Sequence, residues 1–110
     1  TAYYSSDARL KTNVVEISNA LDKVNQIRGV EFDWTATSRK GMRDIGFIAQ
    51  EVEPIVPEVV QEHQNGVGEF SQKEETSKSI AYDKLVPLLV ESIKELKAEI
   101  DDLKEQLKKK

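Results

Sequence analysis

Between Val86 and Leu107 the apolar residues Val86, Leu89, Ile93, Leu96, Ile100, Leu103 and Leu107 recur alternately three and four positions apart, a tighter constraint on folding than anything else in the chain. Such an alternation keeps one narrow stripe on a single side of an α-helix, the a and d seam of a coiled coil, with Val or Ile at several a positions and Leu at d. Glu99 at g and Lys104 at the following e are placed to pair parallel neighbours in register. So regular a seam on so polar a helix reads as an interface between chains, not as the packing face of one small domain. The a and d identities lean towards two strands without fixing the number. Asp83 is the expected N-cap, and Pro87 falls early enough that its missing N–H breaks nothing.

The rest of the chain describes one α+β domain ahead of that helix. A length of 110 residues leaves room for one modest core and not two. Thr1 to Thr12 show no sustained period and read as an extended or looped entry. Asn13 is then the expected cap of a helix whose stripe, Val14, Ile17, Leu21 and Val24, runs until Gly29. From there the period changes to two: Val30, Phe32 and Trp34 alternate with Glu31, Asp33 and Thr35, the pattern of a half-buried strand. Thr37 to Arg43, with Gly41, predicts a turn into a second strand at Ile45-Gly46-Phe47-Ile48, and the two make a hairpin. Ala49 to Glu53 reads as a short helix ended by Pro54 and Pro57, and Val59-Val60 as a short extended piece. Asn65-Gly66 is a turn signal, while Ser71 to Ser79 is expected to be polar and mobile. Phe32, Trp34 and Phe47 are core candidates.

Composition removes several kinds of chemistry. A net charge of -4 gives no cationic face for sequence-independent binding to nucleic acid, and Lys108 to Lys110 serve better as favourable charge at a helix C-terminus. With no cysteine, disulfides, thiolate zinc sites and cysteine nucleophiles are excluded. The one histidine, His63, reads as a loop or hairpin residue, so neither a Ser-His-Asp triad nor a histidine metal cluster can be built. No metal or other cofactor is expected. No apolar run approaches the ~20 residues of a membrane-spanning helix, and the start at Thr1 reads as part of a longer chain.

Ser6 and Lys11 are the residues that could carry a reaction. A serine hydroxyl is a poor nucleophile until a neighbour takes its proton, and a lysine does so only where burial or a nearby cation favours the neutral amine. Residues i and i+5 lie about 140° apart around a regular helix and on opposite faces of a strand. The pair can therefore meet only across an irregular turn or between chains.

Several segments together resemble one family. They are Ser6-Asp7-Ala8-Arg9-Leu10-Lys11 with Asn13-Val14, Gly29-Val30-Glu31-Phe32-Asp33-Trp34, Asp44-Ile45-Gly46-Phe47-Ile48-Ala49-Gln50-Glu51-Val52 with Pro57-Glu58-Val59-Val60, and Ile80-Ala81-Tyr82 with Leu85-Val86-Pro87-Leu88-Leu89-Val90 and Lys94-Glu95-Leu96. In that order they closely resemble the self-cleaving intramolecular chaperone of bacteriophage tail spikes, fibres and neck appendage proteins, grouped as peptidase family S74. The resemblance implies a helix-rich α+β fold in which short hairpin elements pack on an N-terminal helix and a long C-terminal coiled-coil helix joins three chains.

By the same resemblance the domain helps an upstream, β-rich spike or fibre of its own chain to fold and trimerise, then severs itself before Ser6. Ser6 is implied as nucleophile, Lys11 as general base, and Ser5-Ser6 as the bond cut. Asp7, Arg9, Gln50 and Glu51 are possible supporting residues, with charges that orient a turn, or polar surface of a short helix, as the plainer reading. Residues 1–5 would be the end of the upstream protein, 6–82 the chaperone core and 83–110 the trimerisation helix. The implied setting is the host cytoplasm during virion assembly, with the precursor part of the phage tail or appendage and the domain released after cleavage. No nucleic acid or membrane partner is implied. The alternative is a register-setting trimerisation cap with Ser6 and Lys11 inert.

Overall fold

The computed structural model describes residues 3–36, 38–63 and 76–110. In chain order these form a 3-10 turn at Ala8–Leu10, helix α1 (Ala20–Gln26), strands β1 (Val30–Asp33) and β2 (Arg43–Gly46), helix α2 (Ala49–Val52), a 3-10 turn at Pro57–Val59, strands β3 (Val60–His63) and β4 (Ser77–Ile80), a 3-10 turn at Tyr82–Lys84, and helix α3 (Leu85–Lys108). The architecture is α+β, with two small antiparallel sheets and a long C-terminal helix. No helix among the described residues is long and apolar enough to cross a membrane.

The first hairpin follows from its alternation. Val30 pairs with Gly46 and Asp33 with Arg43, and along β1 Val30 and Phe32 are half-buried while Glu31 and Asp33 are exposed. Past the strand ends the Trp34 N–H donates to the Met42 carbonyl at 3.0 Å and the Gly41 N–H to the Trp34 carbonyl at 2.8 Å. Gly41 turns the chain with a φ of 85°, a conformation that costs glycine little. The second strand ends at Gly46, before Phe47 and Ile48, because the Phe47 N–H donates to Tyr82 Oη at 3.2 Å.

The second strand pair was less visible in the sequence. Ser77–Ile80, expected within a mobile stretch, is strand β4, paired with β3 from Val60↔Ile80 to His63↔Ser77. Its serines and lysine are poor strand formers alone, so the pairing partner decides. His63 Nε2 and Ser79 Oγ lie 2.7 Å apart across the pair, and Lys78 is bonded to Glu53, whose carboxylate raises the lysine pKa. The Asn65-Gly66 turn and residues 71–75 lie outside the described residues.

The N-terminal helix is shorter than its apolar stripe predicts. It starts at Ala20 rather than after Asn13, and Asn13 and Asn19 both take left-handed φ values, 54° and 55°, that interrupt helical geometry. Val14 and Val15 are consequently exposed. No side chain of its own segment caps α1; Glu95, on α3, accepts from the Ala20 and Leu21 N–H groups at 3.0 Å each. A carboxylate from a distant element thus satisfies two orphan donors of the first turn.

The core joins these pieces. Ala20, Val52, Val59, Leu85 and Leu88 are buried, with Ile17, Val24, Ile27, Phe47, Val56, Val60 and Ile80 packed against them. Helix α1 packs along α3, and α2 against β4, instead of both hairpins resting on the N-terminal helix. Phe32 and Trp34 stack edge to face at 5.1 Å between ring centroids, half-buried and outside that core. Helix α3 begins at Leu85, directly after the 3-10 turn Tyr82–Lys84 that contains Asp83; Lys84 and not Asp83 stands at the N-cap, and no side chain caps the helix.

Candidate active site

The segment from Tyr3 to Glu16 is exposed throughout. Within it Asp7 accepts the Arg9 N–H at 2.9 Å through Oδ1 and so starts the 3-10 turn, which closes through Leu10 N–H to Asp7 O and Lys11 N–H to Ala8 O at 3.0 and 3.2 Å. The turn folds the chain back on itself. It brings together two side chains that neither helix nor strand would: Lys11 Nζ donates to Ser6 Oγ at 2.7 Å, within one chain.

Asp7 and Arg9 face each other rather than the dyad. Arg9 Nη2 and Nε donate to Asp7 Oδ2 and Oδ1 at 2.8 and 3.1 Å. The guanidinium is the larger cause, and the Arg9 N–H the smaller, of a lowered Asp7 pKa. Their observed work is to shape the turn.

Gln50 and Glu51 lie on α2 and point to different tasks. Glu51 takes Arg28 in a two-pronged ion pair, Nε to Oε1 at 2.7 Å and Nη2 to Oε2 at 2.9 Å, which lowers the carboxyl pKa and raises that of the guanidinium. Gln50 is exposed and lines a groove between the two strand pairs together with Trp34, Phe47, His63 and Tyr82. None of the residues lining that groove comes from the segment that carries Ser6. The partnerships of Arg28, Tyr82 and Glu95 were missed by sequence reasoning, since their partners are 23, 35 and about 75 positions away.

At the other end all seven seam residues, Val86, Leu89, Ile93, Leu96, Ile100, Leu103 and Leu107, are 44 to 68% exposed. The face of α3 that does pack inward is a second stripe: Leu85, Leu88 and Ser92 are buried. Ser92 keeps its hydroxyl satisfied by donating to the Leu88 carbonyl at 2.8 Å. The signal for this stripe was two leucines standing outside the heptad pattern. Near the base of the exposed segment, Lys94 bridges Glu16 and Glu91 at 3.4 and 3.2 Å and holds the segment beside α3.

Comparison with known proteins points in one direction. A family model described as chaperone of endosialidase, peptidase S74, matches residues 6–61, beginning at Ser6. The long tail fiber proteins Gp37 of Enterobacteria phage K3 and Enterobacteria phage T2 are each 34% identical to this chain over 107 residues, 96% of its length. The chain spans only 8% of the length of either relative.

Proposed function

Since this chain belongs to the peptidase S74 family, chaperone of endosialidase, we propose that it is an intramolecular chaperone of a phage tail fibre, spike or appendage protein that severs itself before Ser6. The observation that carries the reading is the 2.7 Å contact between Lys11 Nζ and Ser6 Oγ at the first residue of the family match. Ser6 Oγ attacks the Ser5 carbonyl carbon while Lys11, having released its own proton, takes that of the hydroxyl. The Ser5–Ser6 C–N bond breaks and the Ser6 nitrogen leaves as a free amine, protonated by Lys11. Water then hydrolyses the ester. Tail fibre relatives in which such a segment is 8% of the length support a partner in the same, longer chain.

In this reading residues 1–5 lead in from that partner, 6–82 form the chaperone core and 83–110 the association helix. Three copies join through the exposed seam, in line with the family, while the upstream β-rich domain folds in the host cytoplasm. The domain is released and the upstream part stays with the virion. Both dyad residues are exposed in the single chain, and burying an amine favours its neutral form. Cleavage therefore waits for neighbouring chains to cover the segment, which keeps the clamp in place through slow non-local β pairing.

The test is a precursor extended upstream of Thr1. Wild type should release a fragment that begins at Ser6 by mass spectrometry, with no protease added. Ser6→Ala should abolish release, and Lys11→Ala should slow it by about 10² to 10⁴-fold, the usual worth of a positioned base. Lys11→Arg should fail as well, since a guanidinium stays protonated. Unimpaired release from Ser6→Ala would leave only the inert, register-setting cap.

A further inference from the structure

We propose a second fate for the acyl group on Ser6: transfer to Lys11 itself, which joins the upstream chain to this domain through an isopeptide bond. The inference rests on the nucleophile and base assigned above. Lys11 Nζ lies 2.7 Å from Ser6 Oγ, so once Oγ carries the Ser5 acyl group the amine stands beside the ester carbonyl. An amine hydrogen-bonded to the ester oxygen is one bond away from the carbonyl carbon it would attack, and a held amine acts at an effective concentration far above that of a free one.

Two further observations set Lys11 apart from the lysines that have a side-chain partner. Lys78, Lys94, Lys97 and Lys108 are each tied to a carboxylate, whereas Ser6 Oγ is the hydrogen-bond partner of Lys11 Nζ among the described residues. Asp7, the nearest carboxylate along the chain, is occupied on both oxygens by Arg9. The neutral amine that the base role already requires is thus held by nothing except the atom that becomes the ester oxygen. Amines are intrinsically better nucleophiles than water, so the two compete for one ester.

The step balances without a co-reactant. A C–N bond forms between the Ser5 carbonyl carbon and Lys11 Nζ, the ester C–O bond breaks, and the proton lost by the amine returns to Ser6 Oγ. The product has the mass of the uncut chain but carries a free α-amine at Ser6. Hydrolysis releases the chaperone; transfer retains it.

The experiment uses the full-length chain with its natural upstream segment, incubated over a range of pH, then denatured and digested with trypsin. Hydroxylamine added to a parallel sample traps the ester as a hydroxamate at Ser5. The expected result is a branched peptide, Leu10 to Lys23 uncut at Lys11, with the upstream tryptic peptide ending in Ser5 attached to Nζ. It should vanish in Ser6→Ala. A trapped ester or normal release with no branched peptide overturns this inference and leaves the autoproteolytic reading standing. Absence of release, trapped ester and branch together overturns both.

Discussion

Gly46 and Tyr82 show how a single close approach organises the chain around the groove. A Cβ built on Gly46 would lie 2.7 Å from Tyr82 Oη, the same hydroxyl that receives the Phe47 N–H, and the Phe47 and Tyr82 rings sit 5.5 Å apart. The hydroxyl cannot withdraw without giving up that bond. Gly46→Ala should therefore destabilise the fold by about 1 to 3 kcal/mol, the range for overpacking a filled site. In a Tyr82→Phe background, where the clashing oxygen is gone, the same change should cost much less. Urea melts of the two single variants and the double variant check this, and purely additive losses would refute the contact as the cause.

At the scale of elements, α3 has two faces with separate duties. Leu85, Leu88 and Ser92 belong to the core, while the seam from Val86 to Leu107 turns outward. Ile93 and Ile100 lie on the outward face and are 64 and 49% exposed, so they can be changed without touching the core. Replacing both with aspartate should leave the single-chain circular dichroism intact and prevent stable association, because a seam cannot bury uncompensated charge. Sedimentation equilibrium should give a trimer for the parent and a monomer for the variant. A parent that stays monomeric at micromolar concentration, or stops at a dimer, would contradict the trimeric assignment.

The described residues bury little apolar surface for their number. Ala20, Val52, Val59, Leu85 and Leu88 make up the buried hydrophobic set among the described residues, while Tyr3, Leu10, Val14 and Val15 stay exposed beside the dyad. A chain with so small a core would gain stability from the proposed association, and covering the exposed segment in the same event would link association to chemistry. The Ile93→Asp, Ile100→Asp pair placed in the precursor should accordingly slow processing near pH 7. Release at the parent rate near neutral pH would show that a single chain suffices. On the proposed reading, release would remove the clamp, and the upstream product would then persist by a kinetic barrier and not by guided refolding.

What the sequence alone determined is what depends on near neighbours: the alternation of β1, the turn at Gly41, the outward seam of α3, and the family motif that begins at Ser6. These follow from periods of two and of three-and-four and from local turn chemistry, all read within a short window. Tertiary structure decided where elements begin and which faces they use. Helix α1 starts at Ala20 and not after Asn13, because its cap is Glu95, 75 positions away, and two asparagines take left-handed geometry before it. Ser77–Ile80 is a strand because β3 pairs with it. Ser6 and Lys11 meet because a 3-10 turn, started by Asp7 and closed around Ala8–Leu10, brings together a spacing that regular structure holds apart. In the first two cases a donor or acceptor left over by local structure is satisfied by a partner distant in sequence that no short window names, and in the third the partners are near in sequence but their meeting depends on the turn geometry.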